Sequence, residues 1–162
     1  MVLLVDADSL IFSSCYKKRE TPEDSPYYDN LNDVTGKFDE VFMKIINDLE
    51  ELYPIDEVKV FSGSLGNFRK LITLKYKANR INTPKPPLLN EMHAWVKEHY
   101  DSIYGHGIET DDIVAKYWYE LSNEIGRDNV MIVSIDKDYK QFPCLMYNYH
   151  AKHKCVYDIT EE

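Results

Sequence analysis

The sequence predicts an α/β domain with a mainly parallel central sheet flanked by helices. Two short apolar runs carry that prediction, Val2-Leu3-Leu4-Val5 and Val130-Met131-Ile132-Val133. Runs this short and this apolar mark strands buried on both faces inside a parallel sheet. Each run leads into the same acidic pattern, Asp6-Ala7-Asp8 after the first and Asp136-Lys137-Asp138 after the second. Between them the chain alternates amphipathic helical stretches with strands, the order expected of a parallel sheet with crossover helices.

The elements follow in order. Ser9 to Lys18 starts a helix, with Leu10, Ile11 and Phe12 expected to face inward. Arg19 to Thr35 is polar and interrupted by Pro22 and Pro26, so it reads as a long loop, a feature that is often functional in a compact domain. Gly36 to Tyr53 is an amphipathic helix whose stripe is Phe38, Val41, Phe42, Ile45, Ile46 and Leu49, and Pro54 ends it. Val58 to Phe61 is the next strand and runs into a glycine-bearing loop, Ser62-Gly63-Ser64.

Phe68 to Arg80 is a basic segment carrying Arg69, Lys70, Lys75, Lys77 and Arg80 around Tyr76. On a helix Lys77 and Arg80 share a face, as do Tyr76 and Arg80. Such a segment is either a solvated helix face or a surface that contacts phosphate and stacks on a base. After the rigid connector Thr83 to Pro87, Leu88 to Tyr100 forms a second amphipathic helix with Leu89, Met92, Trp95 and Val96 inward. Ser102 to Tyr104 is a short strand candidate. Glu109-Thr110-Asp111-Asp112 opens a helix that continues through Leu121. Met146 to Tyr149 and Lys154 to Ile159 read as a closing pair of edge strands.

At 162 residues the expectation is one domain, residues 1–162, and 44% hydrophobic with 29% charged residues gives it an ordinary globular core. No apolar run approaches a membrane span and no signal peptide is evident, so a cytoplasmic protein without membrane contact is expected. The three cysteines lack C-x-x-C spacing, which argues against a disulfide framework and against zinc. A net charge of −9 excludes nucleic-acid binding by bulk charge alone. It fits a solvated surface, a cluster of carboxylates that holds cations, or both.

Three acidic clusters stand at predicted strand ends or helix starts: Asp6 and Asp8; Glu109, Asp111 and Asp112; Asp136 and Asp138. Acids at a helix start are also favoured by capping and by the helix dipole. Capping, however, needs one acid, and three open the helix at Glu109. Right-handed crossovers bring such ends to one edge of a parallel sheet, where ligands bind in open α/β folds. Like charges gathered there repel unless cations are present. Oxygen ligands without histidine or cysteine suit Mg²⁺ or Mn²⁺. Two such ions about 3.5–4 Å apart are the usual arrangement for in-line phosphodiester cleavage.

Taken in order, Val5-Asp6-Ala7-Asp8, Tyr76-Lys77-Ala78-Asn79-Arg80, Glu109-Thr110-Asp111-Asp112 and Ser134-Ile135-Asp136-Lys137-Asp138 form a series that resembles the 5′-nuclease superfamily. That family includes flap endonucleases, the 5′→3′ exonuclease domain of bacterial DNA polymerase I and bacteriophage 5′→3′ exonucleases. The resemblance covers almost the whole chain and is nearest to the phage enzymes, through D-x-D at the first strand and Phe68 to Arg80. It implies a PIN-like fold and Mg²⁺-dependent cleavage of DNA near 5′ ends or at branched junctions, with a role in phage DNA replication or recombination in the host cytoplasm.

By motif match, Asp6, Glu109 and Asp111 hold a first metal with Asp112 beside them, and Asp136 and Asp138 hold a second. Lys77 and Arg80 grip the scissile phosphate, and Tyr76 offers a face to the end base. Arg69, Lys70 and Lys75 complete the DNA-binding set. Two departures stand out. Polymerase-type members carry an aspartate just after the phenylalanine of the second strand, where this chain has Ser62 and Gly63, leaving water or Asp8 to take that ligand's place. The family's helix-hairpin DNA-binding region would begin near Thr160-Glu161-Glu162, so a second chain or segment is expected to supply it. A PIN-type ribonuclease, or a catalytically weak DNA-binding or assembly subunit that needs a partner, are the alternatives.

Overall fold

The computed structural model describes residues 1–63, 86–105, 107–150 and 155–159. Its sheet has five strands: β1 (Val2–Asp6), β2 (Glu57–Phe61), β3 (Val130–Val133), β4 (Leu145–Asn148) and β5 (Cys155–Asp158). Their order across the sheet is β2-β1-β3-β4-β5. The first three pairings, β2 with β1, β1 with β3 and β3 with β4, are parallel, and β4 with β5 is antiparallel. The α/β architecture with a mainly parallel sheet is therefore as the sequence predicts.

Alternation along the strands divides the core in two, because successive side chains point to opposite faces. Leu3, Val5, Met131, Val133, Leu145 and Tyr147 face one way, toward helices α1 (Asp8–Ser14), α2 (Leu31–Glu50) and α3 (Leu89–His99). Val2, Leu4, Phe61, Val130, Ile132 and Met146 face the other way, toward α4 (Thr110–Ile125). All residues of β1 and β3 are buried, as strands covered by helices on both faces must be.

Several boundaries differ from expectation, each for a local reason. α2 starts at Leu31, five residues before Gly36, because the Asn30 side chain caps it by accepting from the Asn32 N–H at 2.8 Å. A cap contributes about 1 kcal/mol, which offsets the roughly 1 kcal/mol that a glycine costs within the helix. Val34, fully buried, extends the apolar stripe back by a turn. The loop that precedes α2 is correspondingly shorter and is folded on itself, with Tyr16 bridging Tyr27, and Lys37 Nζ from α2 donates to the Ser13 carbonyl in the last turn of α1.

α1 stops at Ser14 instead of Lys18, and Phe12 points outward at 42% exposure, packing its ring 5.2 Å from Tyr16. Leu10, Ile11 and Ser14 take the inward face. α4 runs to Ile125, beyond Leu121, and ends at Gly126, whose φ of 94° suits glycine alone. Ser102 to Tyr104 contributes a single parallel bridge, Ile103 to Phe61, not a full strand. Of the two closing strands only β5 lies at an edge, since β4 pairs with β3 and is buried throughout. The basic segment Phe68 to Arg80 lies outside the described residues.

Candidate metal centre

Four parallel strands end at the same side of the sheet, and acids follow two of them, β1 and β3. Asp6 closes β1, and its carboxylate is buried at 6% exposure. The Asp8 N–H donates to Asp6 Oδ1 at 3.1 Å and the Tyr139 hydroxyl donates to Asp6 Oδ2 at 2.6 Å. Asp8 is held just as firmly. Its Oδ1 accepts the Gly63 N–H at 2.7 Å and its Oδ2 accepts the Thr110 hydroxyl at 2.6 Å. One carboxylate thus ties together the end of β1, the loop after β2 and the first turn of α4.

α4 brings the second group of acids. Glu109 stands at its N-cap without making a side-chain capping bond, and Asp111 Oδ1 accepts the Asp112 N–H at 3.0 Å. Each of Glu109, Asp111 and Asp112 offers an oxygen, and the three atoms lie within 4.8 Å of one another. After β3, Asp136 caps a 3₁₀ turn, Lys137–Gln141, by accepting the Asp138 N–H at 3.0 Å. Its own N–H is held by the buried Ser134 hydroxyl at 3.0 Å. The capping role and the cluster role coexist here, because Asp136 and Asp138 also bring oxygens within 4.8 Å of Asp111. Asp111 therefore belongs to both groups and joins them.

The electrostatics report the crowding. Burial, and then the charge of Asp8, push the Asp6 carboxyl up to about 7. Burial, and then the charges of Asp112 and Glu109, push Asp111 up to about 6. Asp136 adds to both shifts, so the β1 end, the α4 start and the segment after β3 act on one another. A set of oxygen donors that resists losing its protons is what a hard divalent cation fits, because the ion takes the place of those protons.

The chain matches the family described as "5'-3' exonuclease, N-terminal resolvase-like domain" along residues 1–159. It belongs to that family. It is therefore a member of the 5′-nuclease superfamily, with the PIN-like α/β fold that the resemblance implied. Flap endonuclease Xni of Vibrio vulnificus is similar to it in two strains, YJ016 and CMCP6. Each is 32% identical over 114 residues, which cover 65% of this chain and 43% of the relative. The aligned stretch thus spans less than half the length of those curated relatives. No solved structure matches the chain.

Within this 5′-3′ exonuclease domain, all seven acids singled out in the sequence sit at the carboxyl edge of the sheet or at the start of α4. Asp6 and Asp8 belong to neither close triad, and their oxygens are engaged with the protein. Arg69, Lys70, Lys75, Tyr76, Lys77 and Arg80 lie outside the described residues. Ser62, which follows the phenylalanine of the second strand, is fully buried, and its hydroxyl pairs with that of Ser102 at 2.6 Å.

Sequence reasoning missed three side chains. Thr110 stands between the acids of its helix start, and its hydroxyl reaches Asp8 across the fold. Tyr139 gave no signal beyond lying one residue after Asp138. Tyr149 follows β4, so it reaches the same edge. Its buried hydroxyl has no hydrogen-bond partner among the described residues, and burial, then Asp6 and Asp8, raise its pKa above that of an ordinary tyrosine. Recognising β4 as an inner parallel strand would have drawn attention to it.

Proposed function

We propose that this chain is a divalent-metal-dependent 5′-nuclease that hydrolyses phosphodiester bonds of DNA near 5′ ends or at branched junctions. The observation that carries the reading is Asp111, shared by two close groups of carboxylates at the edge of a parallel sheet. Membership of the 5′-3′ exonuclease domain family and similarity to proteins called flap endonucleases support it.

The ions are Mg²⁺ or Mn²⁺, two in number. Asp6, Glu109, Asp111 and Asp112 face the first, and Asp136 and Asp138 face the second. Asp8 lends its charge to the first site while its oxygens brace the surrounding loops. When bound, the ions supply a hydroxide nucleophile and stabilise the leaving 3′-oxygen. Lys77 and Arg80 hold the scissile phosphate and stabilise charge developing on it. Tyr76 stacks on the end base, and Arg69, Lys70 and Lys75 contact the backbone. With a net charge of −9 the chain has no long-range attraction for DNA. A further basic DNA-binding region, in the same polypeptide or a second chain, supplies the grip on duplex, and binding without it is weak and steeply salt-dependent. Activity of this kind serves DNA replication or recombination, as in the phage enzymes that the motifs resemble.

Ser62 favours a second reading. Ser62, paired with Ser102 in the interior, takes the place of the aspartate that polymerase-type members carry, which fits a catalytically weak subunit that acts with a partner. The test is nucleotide release from 5′-labelled DNA duplexes, DNA flaps and single-stranded RNA, with Mg²⁺ and with chelator. Mg²⁺-dependent cleavage of the DNA substrates, slowed by Lys77→Ala, is expected. Preference for RNA makes the chain a PIN-type ribonuclease. DNA binding without cleavage makes it an assembly subunit.

A further inference from the structure

We infer that Tyr139 is a positioning residue: its hydroxyl fixes the orientation of the Asp6 carboxylate and so sets the affinity of the acidic edge for divalent cations. The inference rests on the metal-dependent reading above. Tyr139 is 1% exposed and lies on the 3₁₀ turn that also carries Asp138 and is capped by Asp136. Its hydroxyl crosses to the end of β1 and donates to Asp6 Oδ2 at 2.6 Å, while Asp6 Oδ1 accepts the Asp8 N–H at 3.1 Å. Held at both oxygens by groups from two segments, the carboxylate cannot rotate about its last side-chain bond without breaking one of them.

The Tyr139 ring is itself held in place. The Phe142 ring packs edge-on to it with centroids 6.1 Å apart, and the Tyr139 carbonyl accepts the Cys144 thiol at 3.3 Å. The bond therefore runs from a fixed ring to a buried acid, and hydrogen bonds to charged acceptors are the strong ones. It also links the two D-x-D pairs, since Asp6 belongs to one and Tyr139 rides on the segment of the other. Partners that orient a metal ligand from behind set its affinity as well as its place. A tyrosine that merely satisfied a buried acid would affect stability and leave cation binding alone.

The two roles separate in a Mn²⁺ titration of the DNA-free chain, followed by calorimetry. Tyr139→Phe keeps the ring and removes only the hydroxyl. It is expected to weaken Mn²⁺ binding by about 10–100-fold. In an Asp6→Asn background the same change should cost nothing further, because the group it acts through is already altered. Leu49→Ala, a cavity in the core on the other face of the sheet from Tyr139, should lower the melting temperature and leave Mn²⁺ affinity as in the wild type. Tyr139→Phe with unchanged Mn²⁺ affinity, or with an equal loss in the Asp6→Asn background, overturns the inference.

Wild-type protein offers a second measurement should Tyr139→Phe not fold. The Tyr139 hydroxyl proton, buried and bonded to a carboxylate, should give a slowly exchanging NMR resonance that shifts as Mg²⁺ is added. A resonance unmoved at saturating Mg²⁺ counts against the inference. Wild-type protein that binds neither ion overturns the metal-dependent reading itself, a result distinct from either of these.

Discussion

The two D-x-D pairs of this chain begin alike and end differently. In each, the second aspartate's N–H donates to Oδ1 of the first, at 3.1 Å for Asp6-Ala7-Asp8 and 3.0 Å for Asp136-Lys137-Asp138. The local turn is the same because short acidic side chains readily bond the backbone two residues on. The surroundings are not the same. Asp6 is buried and bonded to Tyr139, and Asp8 is bonded through both oxygens to Gly63 and Thr110. Asp136 is half-buried and Asp138 is exposed. The pair after β1 is built into the protein, and the pair after β3 is open to a ligand. A motif places its carboxylates at a strand end; what packs against them decides whether they mainly hold the fold or mainly hold an ion.

The largest effect is expected where the two acid groups meet. Asp111→Asn and Asp136→Asn each remove a ligand charge without changing shape. Both should slow metal-dependent cleavage by about 10³-fold or more, roughly 4 kcal/mol of barrier, while circular dichroism and metal-free melting remain those of a folded protein. Near wild-type turnover by either variant removes that residue from the site.

Substitutions within the two pairs should dissociate stability from binding. Asp8→Ala leaves the Thr110 hydroxyl and the Gly63 N–H without their partner, and chemical denaturation should show a loss of about 2–4 kcal/mol. Asp138→Ala removes an exposed side chain and should change stability by no more than about 0.5 kcal/mol, yet reduce Mn²⁺ affinity in calorimetry. Equal losses of stability at the two positions would erase the distinction between the pairs.

Acidity offers a gentler probe. Asp6 and Asp111 have folded-state values raised to about 7 and about 6. The folded chain therefore holds protons that the unfolded chain, titrating near 3.8, has released. Stability from these groups is fully present below pH 3.8 and is lost as pH rises through the folded values, so metal-free stability should fall between about pH 4 and 7. For Asp6 alone the slope is at most about 1.4 kcal/mol per pH unit. Mg²⁺ should flatten it by replacing those protons. Thermal melts across this range check the sign: stability that rises with pH in chelator contradicts the crowding at this edge.

Much of the fold was legible because it depends on short-range patterns. Apolar runs such as Val130 to Val133 can be satisfied only by burial on both faces, and the stripe of Phe38, Phe42, Ile45 and Leu49 only by a helix against the sheet. Element ends were less legible. The start of α2 turned on a capping bond from Asn30, and the outward turn of Phe12 on a local ring contact with Tyr16. The acids were found because their spacing from strands is a sequence property. What lies behind them was not found, since Tyr139 and Asp6 are 133 residues apart and meet only through the packing of β3 beside β1.

The most direct measurement of whether the acidic edge holds divalent cations is melting of the DNA-free chain in millimolar Mg²⁺ or Mn²⁺ against NaCl of matched ionic strength. Ions bound at a hundred times their dissociation constant should add about 2.7 kcal/mol of stability, with most of the gain lost in Asp111→Asn. A melting temperature no higher in the divalent salt than in NaCl, or a gain undiminished in Asp111→Asn, contradicts a metal centre built on the carboxylate that the two acid groups share.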